Sequence, residues 1–200
     1  MPKHRAPEGA STDFEAATAA LQDLTGTYTV DVAHTRIGIR ARHAMVTTVR
    51  GSFTGFAGEA SLQPADPAAS WVALRIETAT IDTGNADRDA HLRSADFLDA
   101  DNSPKITFRS VRTEPTGGSG FRLHGTLTIR NITQPVIFEA RHTATSKDPW
   151  GRQRLLYTAR TSVNRSDYGI RWNKVLDNGG WLVGERIEIE MDIQALPVVS

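Results

Sequence analysis

Along most of this chain, apolar and polar residues alternate with a period of two, the pattern of strands buried on one face. Tyr28, Val30 and Val32 alternate with polar neighbours, and the alternation resumes at Ile37, Ile39 and Ala41. Phe53 and Phe56 follow, with Gly55 and Gly58 interleaved; glycine inside a strand pattern predicts a bulge or a tight corner. Val72, Leu74 and Ile76 form a clean half-buried strand, and Ile106 and Phe108 start another. Phe121, Leu123, Gly125, Leu127 and Ile129 share one face of a further strand. After a turn over 131–134, Pro135 opens a strand with Val136, Phe138 and Ala140 on one side. Leu155, Tyr157, Ala159 and Val163 make the next. Val183, Ile187, Ile189, Met191 and Ile193 make the last and clearest. About eight strands at this spacing predict a meander or barrel. One-sided apolar strands need a covering layer, and the chain has too few helices to supply one. A sheet closed on itself meets that need and removes its own edges. An eight-stranded antiparallel barrel is either filled by its side chains or holds one small ligand, and the pattern leaves both open.

The alternation breaks between Thr80 and Phe108. Thr83, Gly84 and Asn85 are turn residues. Asp87 can cap a short helix over about 87–98, with Asp89 in its first turn, where a carboxylate suits the helix dipole. His91, Leu92, Ala95 and Leu98 recur at helical spacing, and Asn102 and Pro104 stop the helix. The other helical stretch is N-terminal. Residues 1–12 read as a flexible tail rich in proline, glycine and charge. Residues 13–26 read as a helix with Phe14, Ala17, Leu21 and Leu24 on one face, ended by Gly26 and docked on the barrel, which occupies 27–196.

Totals narrow the function classes. Two hundred residues suit one domain with a real core. The absence of cysteine excludes disulfides, thiolate metal sites and cysteine nucleophiles. The 23 basic and 23 acidic residues cancel, so charge gives no argument for nucleic acid or an anionic membrane surface. No apolar run reaches the length of a membrane span. Glu8, Asp13 and Glu15 interrupt any secretory apolar region, so the expected location is the cytoplasm.

Chemistry-bearing residues are sparse. Asp87, Asp89 and His91 would share a face on a strand, but a spacing of two on a helix makes them diverge, so no metal site is expected. Arg88 pairs with a carboxylate or with loop carbonyls, or joins His91 in meeting a polar ligand head at the barrel mouth. His34 and His43 flank one strand and read as packing residues; His124 and His142 form no cluster. Asn164, Arg165, Ser166 and Asp167 form a turn or a polar cap at one end of the barrel. N-glycosylation acceptor patterns occur at Asn131 with Thr133 and at Asn164 with Ser166, but they carry meaning only in a secreted chain. No nucleophile elbow, phosphate loop, zinc-protease or dinucleotide pattern is present. No enzyme activity and no cofactor are expected.

Four stretches, in order, resemble the YceI-like family of polyisoprenoid-binding proteins: residues 28–58, 81–108, 123–140 and 163–170. The most specific is RDAHLRSADFLD followed by PKITF, with NRSDYGI next. The resemblance implies an extended lipocalin-like antiparallel barrel with a helical insertion and an elongated apolar cavity for a long isoprenoid or amphiphilic chain, often in a dimer. Two features depart from the family pattern. Many members are exported, and this chain lacks a signal. Its segment through Leu24 is extra, and could cover an opening or a dimer surface. On this reading, candidate wall residues come from the apolar strand faces, Phe53, Leu74, Ile76, Phe108, Leu127 and Ile129, together with Phe138, Tyr157 and Ile189, and from Phe97 in the insertion. Arg88, His91 and Arg165 are candidates for a polar or phosphorylated head. Two alternatives stand beside it: a small enzyme acting on a lipid or quinone-like substrate with His91 or His34 as acid or base, and a filled barrel with a structural role.

Overall fold

Alternating side chains become the two faces of antiparallel strands. A computed structural model of the chain describes residues 24–44, 46–177 and 180–198. The expected tail over 1–12 and the expected N-terminal helix, apart from its last residues, lie outside them. Of those last residues, Leu24 is in a turn and Gly26 already opens the first strand. The strands in chain order are β1 (Gly26–Val30), β2 (Arg36–His43), β3 (Thr47–Phe53), β4 (Phe56–Leu62), β5 (Trp71–Glu77) and β6 (Ile81–Asp82). After one helix, α1 (Ala86–Arg93), come β7 (Lys105–Gly117), β8 (Gly120–Ile129), β9 (Ile132–Lys147), β10 (Gln153–Asn164) and β11 (Val183–Pro197).

Hydrogen-bonded neighbours run β1-β4-β5-β7-β8-β9-β10-β11, and β11 pairs back with β1, closing an eight-stranded antiparallel barrel. β2, β3 and β6 extend the sheet from β11. Ten of the eleven described strands come from the eight stretches of the sequence pattern, two of which are broken, into β1 and β2 and into β3 and β4; β6 is additional and lies where the alternation stops. β11 is long enough to pair with β1 through Ala195, Leu196 and Pro197 and with β2 through Val183 to Asp192. Between β1 and β2 the chain makes a 3-10 turn capped by Asp31, whose carboxylate accepts hydrogen bonds from the Ala33 amide (3.2 Å), His34 Nδ1 (2.9 Å) and Arg154 Nη1 (2.7 Å). That turn leaves Val32 exposed instead of continuing the Tyr28–Val30 alternation. β3 and β4 are split at Thr54 and Gly55. Gly55 is a corner, as glycine in the pattern suggests: an added Cβ would stand 2.7 Å from Thr80 Cγ2.

β8 and β9 are joined by Arg130 and Asn131, both at positive φ (52° and 60°), the geometry of a two-residue type I′ turn. β9 therefore starts at Ile132, earlier than the expected turn over 131–134. Pro135 is tolerated inside it because pairing with β10 begins only at Glu139. Inward rows from all sides build one large core, including Ile37, Phe53, Ile106, Phe108, Phe138 and Met191. A smaller cluster of Leu24, Tyr28, Leu155 and Ala195, with Leu62 and Tyr157 against it, sits toward the C-terminal end of β11. Among the described residues no helix is long and apolar enough to cross a membrane.

Candidate ligand cavity

At the other end of the barrel the core is hollow. A cavity of about 460 Å³ opens where β2 and β10 end, where β11 begins, and where α1 and the residues around Trp172 and Leu182 gather. Its volume falls within the usual range for a small-molecule pocket, about 300–1,000 Å³. The lining is mostly hydrocarbon; its polar residues are Arg42 and His43 at the end of β2, Thr83, Asp87, Arg88 and His91 at and before α1, and Arg165 with the buried Tyr168 after β10.

Phe53, Leu74, Ile76, Phe108, Leu127, Ile129, Phe138 and Ile189 line this cavity from the strands, and Phe97 from the turns after α1. Arg88, His91 and Arg165 also border it. Tyr157 does not, which corrects its expected place on the wall. It occupies the same inward face of β10 as Val163, but nearer the filled end, where its ring meets Phe121 (6.0 Å) and His142 (5.1 Å). Burial, then the charge of nearby Tyr28, pushes its phenol pKa well up. The wall also takes Ile37, Ile39 and Met191, which the alternation exposes as inward residues, and Trp172 and Leu182, which lie in a stretch without periodicity and left no signal.

One glycine shapes the wall. A Cβ on Gly125 would collide with the Arg109 carbonyl oxygen and stand 2.6 Å from the Phe108 ring. Its absence lets that ring lie against β8 and meet Phe138 at 5.0 Å in an edge-on contact.

The mouth is held by hydrogen bonds that start from α1. The helix is shorter than the expected 87–98 and is capped by Asn85, not Asp87: the Asn85 side chain accepts from the Arg88 amide at 2.9 Å. It stops at Ser94, whose hydroxyl donates to the His91 carbonyl (2.8 Å), and the amides of Leu98 and Ala100 turn back to the carbonyls of Leu92 and Arg93. Asp89, 5% exposed, accepts from the amide and hydroxyl of Thr83. Burial alone would raise its pKa; the Thr83 bonds, with Arg93 and Arg88 nearby, outweigh that and hold it below the usual carboxylate value. Arg88 donates from Nε to Thr83 Oγ1 (2.7 Å) and from Nη2 to the Thr83 carbonyl (2.9 Å), the loop-carbonyl partnership expected for it. Arg93 ties the helix to the β6 side through the carbonyls of Ala79 and Ile81.

His91 sits between two aromatic rings, Phe97 at 4.9 Å and Trp172 at 4.7 Å, with Nε2 3.0 Å from an Asp96 oxygen. The polar run before Tyr168 is a 3-10 turn closed by Gly169 at φ 71°. Within it Arg165 points inward, 5% exposed, and donates to the carbonyls of Gly184 (3.1 Å), Ile170 (3.0 Å) and Trp172 (2.8 Å), with Glu185 at 3.6 Å. Tyr168 is buried beside it, and burial followed by the Asp167 charge pushes its pKa up to about 12. Asp87 borders the cavity while Asp89 turns to Thr83, so the helix does separate them; no group of three or more potential metal ligands forms among the described residues.

A closed antiparallel barrel with a largely hydrocarbon-lined cavity and one short helix beside it defines the class: a lipocalin-like barrel with an internal cavity. The chain belongs to the YceI-like family, whose domain model matches residues 28–195. It is 35% identical over 146 residues to a UPF0312 protein of Vibrio cholerae, covering 72% of this chain and 77% of that one. To a UPF0312 protein of Azotobacter vinelandii it is 34% identical over 152 residues, 75% and 79% of the two chains. Among solved structures, Burkholderia cenocepacia BcnA superposes with a TM-score of 0.73 at 21% identity, over 82% of this chain and 98% of that one. A polyisoprenoid-binding domain from Saccharophagus degradans superposes with a TM-score of 0.61 at 11% identity, over 86% and 98%. At these identities the two structures speak for the fold.

Proposed function

We propose that this barrel binds the hydrocarbon chain of an isoprenoid or similar amphiphile in its cavity, as a carrier, storage or sequestration protein without catalysis. The observation that carries the reading is the cavity itself, lined mostly by hydrocarbon, with its charged residues gathered around α1 and the adjoining ends of β2 and β10. Membership of the YceI-like family and the likeness to a polyisoprenoid-binding domain support it. Burial of a chain contributes up to about 0.8 kcal/mol per CH₂, less the cost of ordering it. The head group rests at the mouth against Arg88, His91 and Arg165. His34, one of the two histidines considered as acid or base, lies outside the cavity lining, and His91 is packed between rings.

Mass spectrometry of an organic extract of the gently purified protein, beside a native spectrum of the intact chain, tests the reading. The expected result is a stoichiometric amphiphile. An empty protein that also takes up no added isoprenoid overturns it. Leu127→Arg places a charge on the wall and is expected to lower uptake by more than about tenfold in a protein that stays folded; unchanged uptake removes Leu127 from the site.

A further inference from the structure

The cavity end of the barrel carries an apolar tip. Between β10 and β11 the chain makes a short hairpin, in which Val175 pairs with Trp181 in an antiparallel bridge and the Leu176 amide donates to the Gly180 carbonyl (2.8 Å). The Leu182 amide donates to the Lys174 carbonyl (2.9 Å), and the Leu182 carbonyl accepts from the Ala44 amide in the β2–β3 turn (2.8 Å). Hairpin and turn are thus laced together. Trp172 and Leu182 line the cavity from this stretch. Trp181 and Val175 are instead 56% and 59% exposed, and Val46, in the turn two residues beyond Ala44, is 78% exposed. Residues directly opposite in an antiparallel pair share a face, so Trp181 and Val175 form one apolar surface at the rim, with Val46 on the turn bonded beside it.

Charge does not cancel at this tip as it does over the whole chain. Residues 42–48 and 171–182 hold three cations, Arg42, Arg171 and Lys174, against one carboxylate, Asp177. All three cations are exposed, and among the described residues none has an ion pair. The nearby Glu185 is occupied: it accepts from the Ser166 amide at 3.0 Å and lies 3.6 Å from Arg165. An exposed indole alone would not distinguish this end. Trp150, at the filled end, is 77% exposed, but its neighbour Arg152 is bonded to Asp148 at 2.7 Å. An indole, apolar in body with a polar N–H, suits the head-group layer of a bilayer, and unpaired cations beside it suit anionic lipid. We propose that this tip docks on an anionic lipid bilayer. Trp181, Val175 and Val46 enter the head-group layer, the three cations meet lipid phosphates, and the cavity faces the membrane. A second copy of the chain fits less well, since a two-fold contact sets the cations against their own copies. The use of the docking, to load and unload a hydrocarbon chain without passage through water, rests on the chain-binding reading above; the docking itself does not.

The test sediments the purified full chain with vesicles of phosphatidylcholine, alone or with phosphatidylglycerol added, and with no prenol present. A cation near an anionic surface contributes about fivefold in affinity, so the net two positive charges of the tip give an expected preference of about 25-fold for the anionic vesicles, shrinking at high salt. Arg171→Gln combined with Lys174→Gln is expected to abolish that preference and to leave binding to phosphatidylcholine unchanged. Trp181→Ser is expected to weaken binding to both kinds of vesicle by at least about fivefold, and Trp150→Ser to change neither. Equal binding to the two kinds of vesicle, binding to neither, or native binding by Trp181→Ser overturns the proposal, as does an equal loss in Trp150→Ser. Sedimentation velocity of the chain without vesicles reads the competing occupant: a dimer that Trp181→Ser dissociates gives the surface to a second copy and overturns the docking. Uptake of prenol from detergent by a chain that ignores vesicles defeats the docking alone. Docking by a chain that takes up no prenol defeats the chain-binding reading and leaves the docking surface in place.

Discussion

Arg165 shows how a residue chosen for one role acquires another. Its cationic side chain, set in a polar run, marks it as a head-group contact, yet three of its N–H groups serve the carbonyls of Gly184, Ile170 and Trp172. A sequence shows a guanidinium but never a backbone partner, so this fastening of the turn to β11 had no signal. Arg165→Ala strands buried carbonyls at the mouth and is expected to lower stability by about 3 kcal/mol, read as a shift in the urea midpoint at constant slope. Arg165→Lys recovers little of it, because an ammonium cannot reproduce the planar fork. Asp89 gives a pH signature. Its folded pKa lies below its unfolded value of about 3.9. The contribution is therefore fully present above the unfolded value and is lost as pH falls through the folded one. The stability gap between the native chain and Asp89→Asn is expected to be constant from pH 7 to about pH 5 and to shrink below about pH 4. A gap that widens on acidification contradicts the Thr83 bonds as its source.

Elements were legible where periodicity is strong and misplaced where single residues set the boundaries. The alternation located nearly every strand of the barrel. The spacing of His91, Leu92, Ala95 and Leu98 predicts a longer helix than the one that forms, because the Leu98 amide returns to the Leu92 carbonyl in a chain reversal, with Asp99 at φ 51°. Both Asn85 and Asp87 are good caps by residue type, and only geometry chooses Asn85. Within β8, Gly125 is the position on which the wall depends. Gly125→Ala sets a methyl group against the Arg109 carbonyl and the Phe108 ring, and overpacking of this kind is expected to cost about 1–3 kcal/mol. The ring has to move, and the space beside it is the cavity. Ligand uptake should therefore fall along with the urea midpoint, and a variant with native stability and native uptake would show that β8 yields without moving Phe108.

For the whole molecule, the closed barrel followed from one-sided strands in a chain with few helices, but hollow and filled parts carry the same pattern. Leu127 and Tyr157 sit in equally regular alternation; one lines the cavity and the other packs the far end. The difference depends on which rows meet across strands, and register is not written in any one strand. A ligand held in that cavity is coupled to folding. A chain that binds only the folded state, at a free concentration of 100 times its Kd, stabilises that state by about 2.7 kcal/mol. For a domain of this size each kcal/mol moves Tm by about 2–4 °C, so the filled protein is expected to melt about 5–10 °C above the stripped one. Stripping by organic extraction should lower Tm, and an added prenol should restore it. The shift should survive high salt, because the wall is apolar and screening acts on charges. Leu127→Arg should melt at one temperature with or without the prenol. If native protein shows bound prenol by mass but the same Tm when stripped, the ligand is held outside the cooperative core, and the cavity is not where it binds.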